Sequence, residues 1–232
     1  MPGKVLLIEH MGDGRRDRVA RHLSDRGFAL HWCNPARGDP LPVQVEEWAA
    51  VVVYGGIQSV NDAEVHSYIR AELDWIGRWV DDDRPYLGLC LGGQLLARAL
   101  GAGVGPYPEG LHEIGFVPLR PTRIGAGVFP DPLHVYQWHN EGFEVPDGGV
   151  LLAIGEVYPN QAFRVGRRAF GLQFHPETTQ QMRKDWLDSS AHMLDAPGAH
   201  DRERQTADAG RFEKPMADWL LKLVDEHLLP EA

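Results

Sequence analysis

Cys90 stands inside Pro85-Tyr86-Leu87-Gly88-Leu89-Cys90-Leu91-Gly92-Gly93-Gln94-Leu95-Leu96, an apolar run that passes through one thiol into a segment with helical spacing. A strand that stops, turns sharply and feeds a helix has the layout of a nucleophile elbow. Gly88 and Gly92 leave room for a tight turn and for a substrate to approach the backbone. A helix beginning at Leu91 would offer free N–H groups and the positive end of a dipole, which favour a thiolate and can hold a developing oxyanion. Such a thiol needs a base and a group to orient that base. The best-placed of the eleven histidines is His175, in Ala169-Phe170-Gly171-Leu172-Gln173-Phe174-His175-Pro176-Glu177. There an alternating strand stops and Pro176 prevents its simple continuation. Glu177, two residues on, can double back to the imidazole and set its tautomer.

Taken singly, each element has a plainer reading. A cysteine after an apolar strand is usually a buried small side chain, and His-Pro-Glu is usually a turn. Their combination is what points to nucleophilic chemistry.

The surrounding pattern says how these groups could meet. Val5 to Ile8 reads as a strand buried on both faces, Arg15 to Asp25 as a helix with Val19, Ala20 and Leu23 inward, and Phe28 to Trp32 as a second strand. Ala49 to Tyr54 is a third strand, ended by Gly55-Gly56. Asp62 to Asp81 reads as one helix carrying Ile69, Leu73, Ile76 and Val80 on a stripe, and Tyr86 to Leu89 then leads into the elbow and a helix to Leu100. This rhythm predicts a mostly parallel, doubly wound sheet with helices on both faces, in which reactive groups collect at the carboxyl ends of strands. After Gly101 come short β-like pieces at 115–120, 134–138, 150–157, 161–165 and 169–174, with Gly166-Arg167-Arg168 as a hairpin turn. A helix is expected from Thr179 to Ala191, a mobile polar loop over about 195–214, and an amphipathic helix from Pro215 to Leu228. No internal repeat or linker is evident, so residues 1–232 are expected to form a single domain.

A net charge of −10 argues against nucleic acid or an anionic membrane as partner. No apolar run reaches about eighteen residues and no basic-then-apolar leader precedes Lys4, so the expectation is a cytoplasmic location rather than export. The two cysteines, Cys33 and Cys90, fit a reducing compartment better than a disulfide framework.

The set Gly88-x-Cys90-x-Gly92-x-Gln94 with Phe174-His175-Pro176-Glu177 resembles the class I (triad) glutamine amidotransferase domain, in particular its free-standing members. Gly55-Gly56-Ile57-Gln58-Ser59-Val60-Asn61-Asp62 is similar to that family's glycine loop. The resemblance extends from the first strand to about residue 190. It implies a three-layer α/β/α, flavodoxin-like fold with a small added antiparallel segment. It also implies hydrolysis of the γ-glutamyl amide of glutamine, or of a γ-glutamyl compound, through a Cys thioester, with no cofactor. By the same resemblance Cys90 is the nucleophile, His175 the general acid/base and Glu177 its orienter, and the N–H groups of Gly56 and Leu91 form the oxyanion hole. Gln94, Gly55, His139 and Glu141 are then expected at the substrate. Trp138-His139-Asn140-Glu141 departs from the family's Ser-His-Gly-Asp-like segment.

No phosphate loop of the G-x-x-x-x-G-K-[ST] type is present. The expected alternatives are therefore a free-standing hydrolase, a partner of a separate synthetase or acceptor subunit, or a non-catalytic regulatory subunit. The arginines at 15, 16, 18 and 21 read as a solvated helix face, His10 as structural, and His192 and His200 lack metal-ligand spacing.

Overall fold

The computed structural model describes residues 3–12, 16–107 and 109–229. Along the chain run β1 (Lys4–Ile8), α1 (Arg18–Asp25), β2 (Ala29–Cys33), β3 (Trp48–Val53), α2 (Ser67–Asp81), β4 (Tyr86–Leu89), α3 (Leu91–Ala99), β5 (Val104–Pro106), β6 (Glu113–Pro121), β7 (Leu133–His139), β8 (Glu141–Phe143), β9 (Val150–Ile154), β10 (Ala162–Val165), β11 (Ala169–Leu172), α4 (Gln180–Ser189) and α5 (Arg202–Leu223). They build a nine-stranded sheet in the order β2-β1-β3-β4-β11-β10-β9-β6-β7, with β5 and β8 forming a separate two-stranded antiparallel ribbon.

The sheet has two characters. From β2 to β11 every neighbour pairs in parallel, and from β11 to β7 every neighbour pairs antiparallel. The antiparallel strands β10, β9, β6 and β7 thus extend the parallel sheet, the β5–β8 ribbon is the expected small added antiparallel segment, and the hairpin at 166–168 joins Val165 to Ala169. In the parallel half successive side chains enter opposite cores, as a two-residue period requires. Val5, Leu7 and Val52 pack with α1 and α5, whereas Leu6, Ile8, Val51 and Val53 pack with α2 and α3. Fully burying each such side chain contributes about 1.5–3 kcal/mol. Covering both faces explains why these strands read as continuous apolar runs.

Several boundaries differ from the sequence expectation. The stretch read as one helix from Asp62 is a 3₁₀ turn, Val60–Glu64, followed by α2 from Ser67, and Val80 is only half-buried. Helix α1 is helical from Arg18, capped by Asp17, and the expected start at Arg15 lies outside the described residues. The largest correction concerns 195–214. Residues 191–195 form a 3₁₀ turn, and α5 runs from Arg202 through Pro215 to Leu223 before a π-helical turn, Val224–Leu228. Its first half lacks an apolar stripe because polar contacts anchor it. Asp201 caps it through the Arg204 N–H (2.7 Å), buried Gln205 accepts from the Tyr136 hydroxyl (2.9 Å), and Glu213 ion-pairs Arg18 and Arg183. Phe212 adds a stacked contact with His134 at 3.8 Å. The second half buries Met216, Trp219, Leu220 and Leu223 as the spacing predicts.

Candidate functional site

The carboxyl ends of β1, β3, β4 and β11 open onto one cavity of about 450 Å³, lined among others by His10, Gly55, Gly56, Cys90, Glu141 and His175. A larger concavity of about 1070 Å³ between residues 35–43 and α2 lies elsewhere and contains no cysteine, histidine or glutamate. Size alone therefore does not identify the site. The chemistry does.

Cys90 leaves β4 with φ 50° and ψ −105°, a conformation that a non-glycine residue adopts only when its surroundings impose it. What imposes it is close backbone packing. The Cys90 N–H donates to the Leu172 carbonyl of β11 (2.8 Å), and the Cys90 carbonyl accepts the Gln94 N–H of α3 (3.0 Å). A Cβ at Gly88 would collide with the backbone of Gly92, one at Gly92 with the Val53 carbonyl, and one at Gly93 would lie 2.6 Å from the Leu172 carbonyl oxygen. The glycines let α3 start directly against the ends of β3 and β11. The Leu91 N–H then belongs to the first helical residue, where no intrahelical acceptor exists.

Beyond β11, the chain turns so that the His175 N–H donates to the Tyr136 carbonyl (2.8 Å) and the Thr178 hydroxyl returns to the His175 carbonyl (3.0 Å). Glu177 does fold back: its Oε1 meets His175 Nδ1 at 2.8 Å. The Trp186 ring closes the imidazole's flank edge-on, with centroids 4.9 Å apart. The imidazole and the Cys90 side chain line the same cavity, and Cys90 acts on the charge of the imidazole. Burial alone would disfavour imidazolium, but the charges of Glu177 and then Cys90, with the hydrogen bond to Glu177, hold His175 above its ordinary value.

Gly55 and Gly56 fill the remaining gap. A Cβ on Gly55 would lie 2.6 Å from His175 Cε1 and 3.5 Å from Cys90 Cβ, and one on Gly56 would lie 2.9 Å from both a Leu91 methyl and His10 Cβ. Thiol, imidazole, carboxylate, glycine loop and helix start, all named from sequence, come together here.

The residues expected at the substrate are placed less simply. Gln94 donates its amide to the Glu141 carbonyl (2.9 Å) and lies 3.4 Å from the Gln173 side-chain oxygen. His139 uses both ring nitrogens internally, Nδ1 at 2.9 Å from the Glu141 carbonyl and Nε2 at 3.1 Å from Glu113 Oε2. It fixes the 139–141 turn and leaves no free nitrogen for a ligand. Behind it, Gln161 bridges Glu113 and Gln137, each at 2.7 Å. Glu141 lines the cavity and accepts from the Ser59 hydroxyl at 2.9 and 3.2 Å.

Three groups at the site went unread in the sequence or were read as background. His10 is buried against Glu72 (3.0 and 3.2 Å). Burial opposes its charge, but Glu72 outweighs it and raises the pKa. Its place just after β1 was the available signal. Gln173 turns its amide toward Cys90 Sγ at 3.8 Å, and Asp17 lies near Glu177. Nothing local distinguished either.

Comparison with known proteins bears on the family and the fold. The family model described as Glutamine amidotransferase class-I matches residues 8–192. The glutamine amidotransferase-like protein YfeJ of Salmonella typhimurium is 36% identical over 204 residues, 84% of each chain. A glutamine-hydrolysing GMP synthase of Aeropyrum pernix is 29% identical over 83% of this chain but only 36% of its own length. The crystal structure of a glutamine amidotransferase from Thermotoga maritima superposes with a TM-score of 0.88 at 28% identity, covering 98% of this chain and 99% of that one.

Proposed function

Because this chain belongs to the class-I glutamine amidotransferase family, we propose that it hydrolyses the γ-carboxamide of glutamine, or of a γ-glutamyl compound, through a thioester on Cys90. The observation that carries this reading is the strained Cys90 at the start of α3, facing a His175 that Glu177 orients.

With the thiol proton already resting on His175, the Cys90 sulfur attacks the carboxamide carbon. The carbonyl oxygen becomes an oxyanion, for which the N–H groups of Gly56 and Leu91 are the proposed donors. The tetrahedral intermediate collapses, the C–N bond breaks, and the His175 proton leaves with nitrogen as ammonia. Water, deprotonated by the same imidazole, attacks the thioester, releasing glutamate and regenerating the thiolate. Glu177 stays ionised and holds the imidazole's orientation throughout. Glu141 suits a cationic α-amino group. No cofactor enters these steps.

In the reading we favour, the domain acts by itself as a hydrolase in the cytoplasm. Delivery of ammonia to a separate synthetase subunit is the second reading, favoured by the GMP synthase relatives, which this chain matches over only about a third of their length. The test is release of ammonia and glutamate from L-glutamine by the purified chain, with Cys90→Ala as control. Release that depends on Cys90 supports the reading. A folded chain that releases none, alone and with other γ-glutamyl amides, and that takes no adduct from a glutamine-derived diazo-ketone, sinks it.

A further inference from the structure

Two buried carboxylates, Glu177 on the imidazole and Asp17 within reach of the charge of Glu177, each have one oxygen without a partner. Asp17 is fully buried. Its Oδ1 accepts the Ala20 N–H that caps α1 (2.9 Å) and the Tyr54 hydroxyl (3.1 Å), while its Oδ2 has no partner. Glu177, 2% exposed, gives Oε1 to His175, and its Oε2 is equally without a partner. The backbone ties the two together: the Arg18 N–H donates to the Glu177 carbonyl (3.0 Å), and Arg18 Nε donates to the Thr178 carbonyl (3.0 Å). A buried carboxylate oxygen without a donor is costly, and two acids in one such place are reconciled by a single proton between them.

We propose that Asp17 is a positioning residue for the site, held as the neutral acid with its O–H donated to Glu177 Oε2. Glu177 then presents one fixed negative charge to His175. The proposal rests on the roles given above to Cys90, His175 and Glu177. Burial, with the charge of Glu177 adding to it, lifts the Asp17 carboxyl to about 7 against the lowering effect of the Ala20 N–H and Tyr54 hydroxyl.

The other groups around the pair leave this proton in place. Tyr54, at the end of β3, donates to the opposite oxygen, and Glu9 adds further negative charge around Tyr54. Arg18 of α1 and Arg183 of α4 both turn to the Thr178 carbonyl and to Glu213 of α5. His175 is engaged on Oε1 of Glu177. When Asp17 ionises, a second negative charge appears near Glu177. The imidazole becomes more basic and a poorer proton donor to the leaving nitrogen. The alkaline decline of kcat then belongs to the linked pair Asp17 and His175 rather than to the imidazole alone.

Two substitutions test this while keeping the cap on α1. Asp17→Asn retains Oδ1 and offers Glu177 a permanent N–H donor; Asp17→Ser retains a cap oxygen but reaches no further. For Cys90-dependent glutamine hydrolysis, Asp17→Ser should lose about 10–100-fold in kcat with little change in KM, as loss of an outer partner does elsewhere. Asp17→Asn should recover most of that loss and carry its alkaline limb at least about one pH unit higher, as expected when the linked titration is removed. Equal losses in both variants, or a wild-type pH profile in Asp17→Asn, would overturn the proposal. A second readout needs no turnover: the pH dependence of Cys90 alkylation by iodoacetamide, followed by intact mass. A shifted inflection in Asp17→Asn supports the proposal even where glutamine is not hydrolysed, a result that would count against the proposed substrate alone. An unshifted inflection refutes it.

Discussion

Two cysteines end two parallel strands of the same sheet, and they have opposite prospects. Cys33 closes β2 at the sheet's edge, and Cys90 follows β4 in its interior; both are free thiols, 5% and 6% exposed. Cys33 faces the carbonyls of Asp39 and Pro40 at 4.0 and 3.7 Å, and burial, then the Asp39 charge, pushes its thiol up to about 12. Cys90 stands at a helix start and shares its cavity with the His175 imidazole. Burial and residue type are shared. What differs is what the neighbouring strand ends deliver: β2 ends beside backbone acceptors, whereas β4 ends between the glycine loop after β3 and the His-Pro-Glu turn after β11. A thiol becomes a candidate nucleophile through its neighbours.

The sharpest way to test this contrast is at the two sulfurs. Cys90→Ser should lower ammonia release by at least about 10³-fold, the scale of losing a nucleophile from a concerted set. Cys33→Ser should leave the rate within about twofold, since surroundings without a base give sulfur no catalytic part. Equal losses would mean the contrast is false. Next in size is His175→Asn, which removes the base while keeping a polar group; about a 10³-fold fall in kcat is expected, because nucleophile and base act as a unit.

Backbone strain offers a third test. At Cys90 glycine relieves a conformation costing about 1–3 kcal/mol, so Cys90→Gly should destabilise the chain less than Cys33→Gly does, by at least about 1 kcal/mol in denaturant unfolding. The reverse order would remove strain from the account. Gly55→Ala probes the same corner from the other side. Its Cβ would press on His175 Cε1 at 2.6 Å, so kcat should fall about tenfold or more, as misplacement of a reacting group does.

The smallest effect is in pH dependence. His175 has a folded pKa above its unfolded one. The stability contributed by its imidazolium is therefore fully present below the ordinary histidine value and is lost as pH rises through the raised one. The thermal midpoint should decline across that alkaline interval, and His175→Gln should flatten the decline. An unchanged slope would mean the imidazole is not charged in the folded chain.

Much of this was legible in residue order. The runs at Val5 to Ile8, Ala49 to Tyr54 and Tyr86 to Leu89 are apolar throughout because helices cover both faces, and such a strand has no polar alternative. The glycines at 88, 92 and 93 mark backbone contacts too close for a Cβ. Cys90, His175 and Glu177 stood out because two strand ends and a proline turn are local features. The first half of α5 was misread for the converse reason. Its anchors are Gln205 on Tyr136 and Glu213 on two arginines, contacts between residues distant in the chain that leave no periodic trace.

The sequence by itself determined the parallel half of the sheet, the elbow and the types of group that meet there, because those follow from local sterics and from a two-residue hydrophobic period. Only the tertiary structure decided that the antiparallel strands continue the same sheet and that His139 is occupied internally. It alone placed His10 on Glu72 and brought Asp17 near Glu177. Each of these depends on which strand pairs with which and how far side chains lie apart in space. Buried polar groups must find partners wherever the fold brings them, and that accounting closes only in three dimensions.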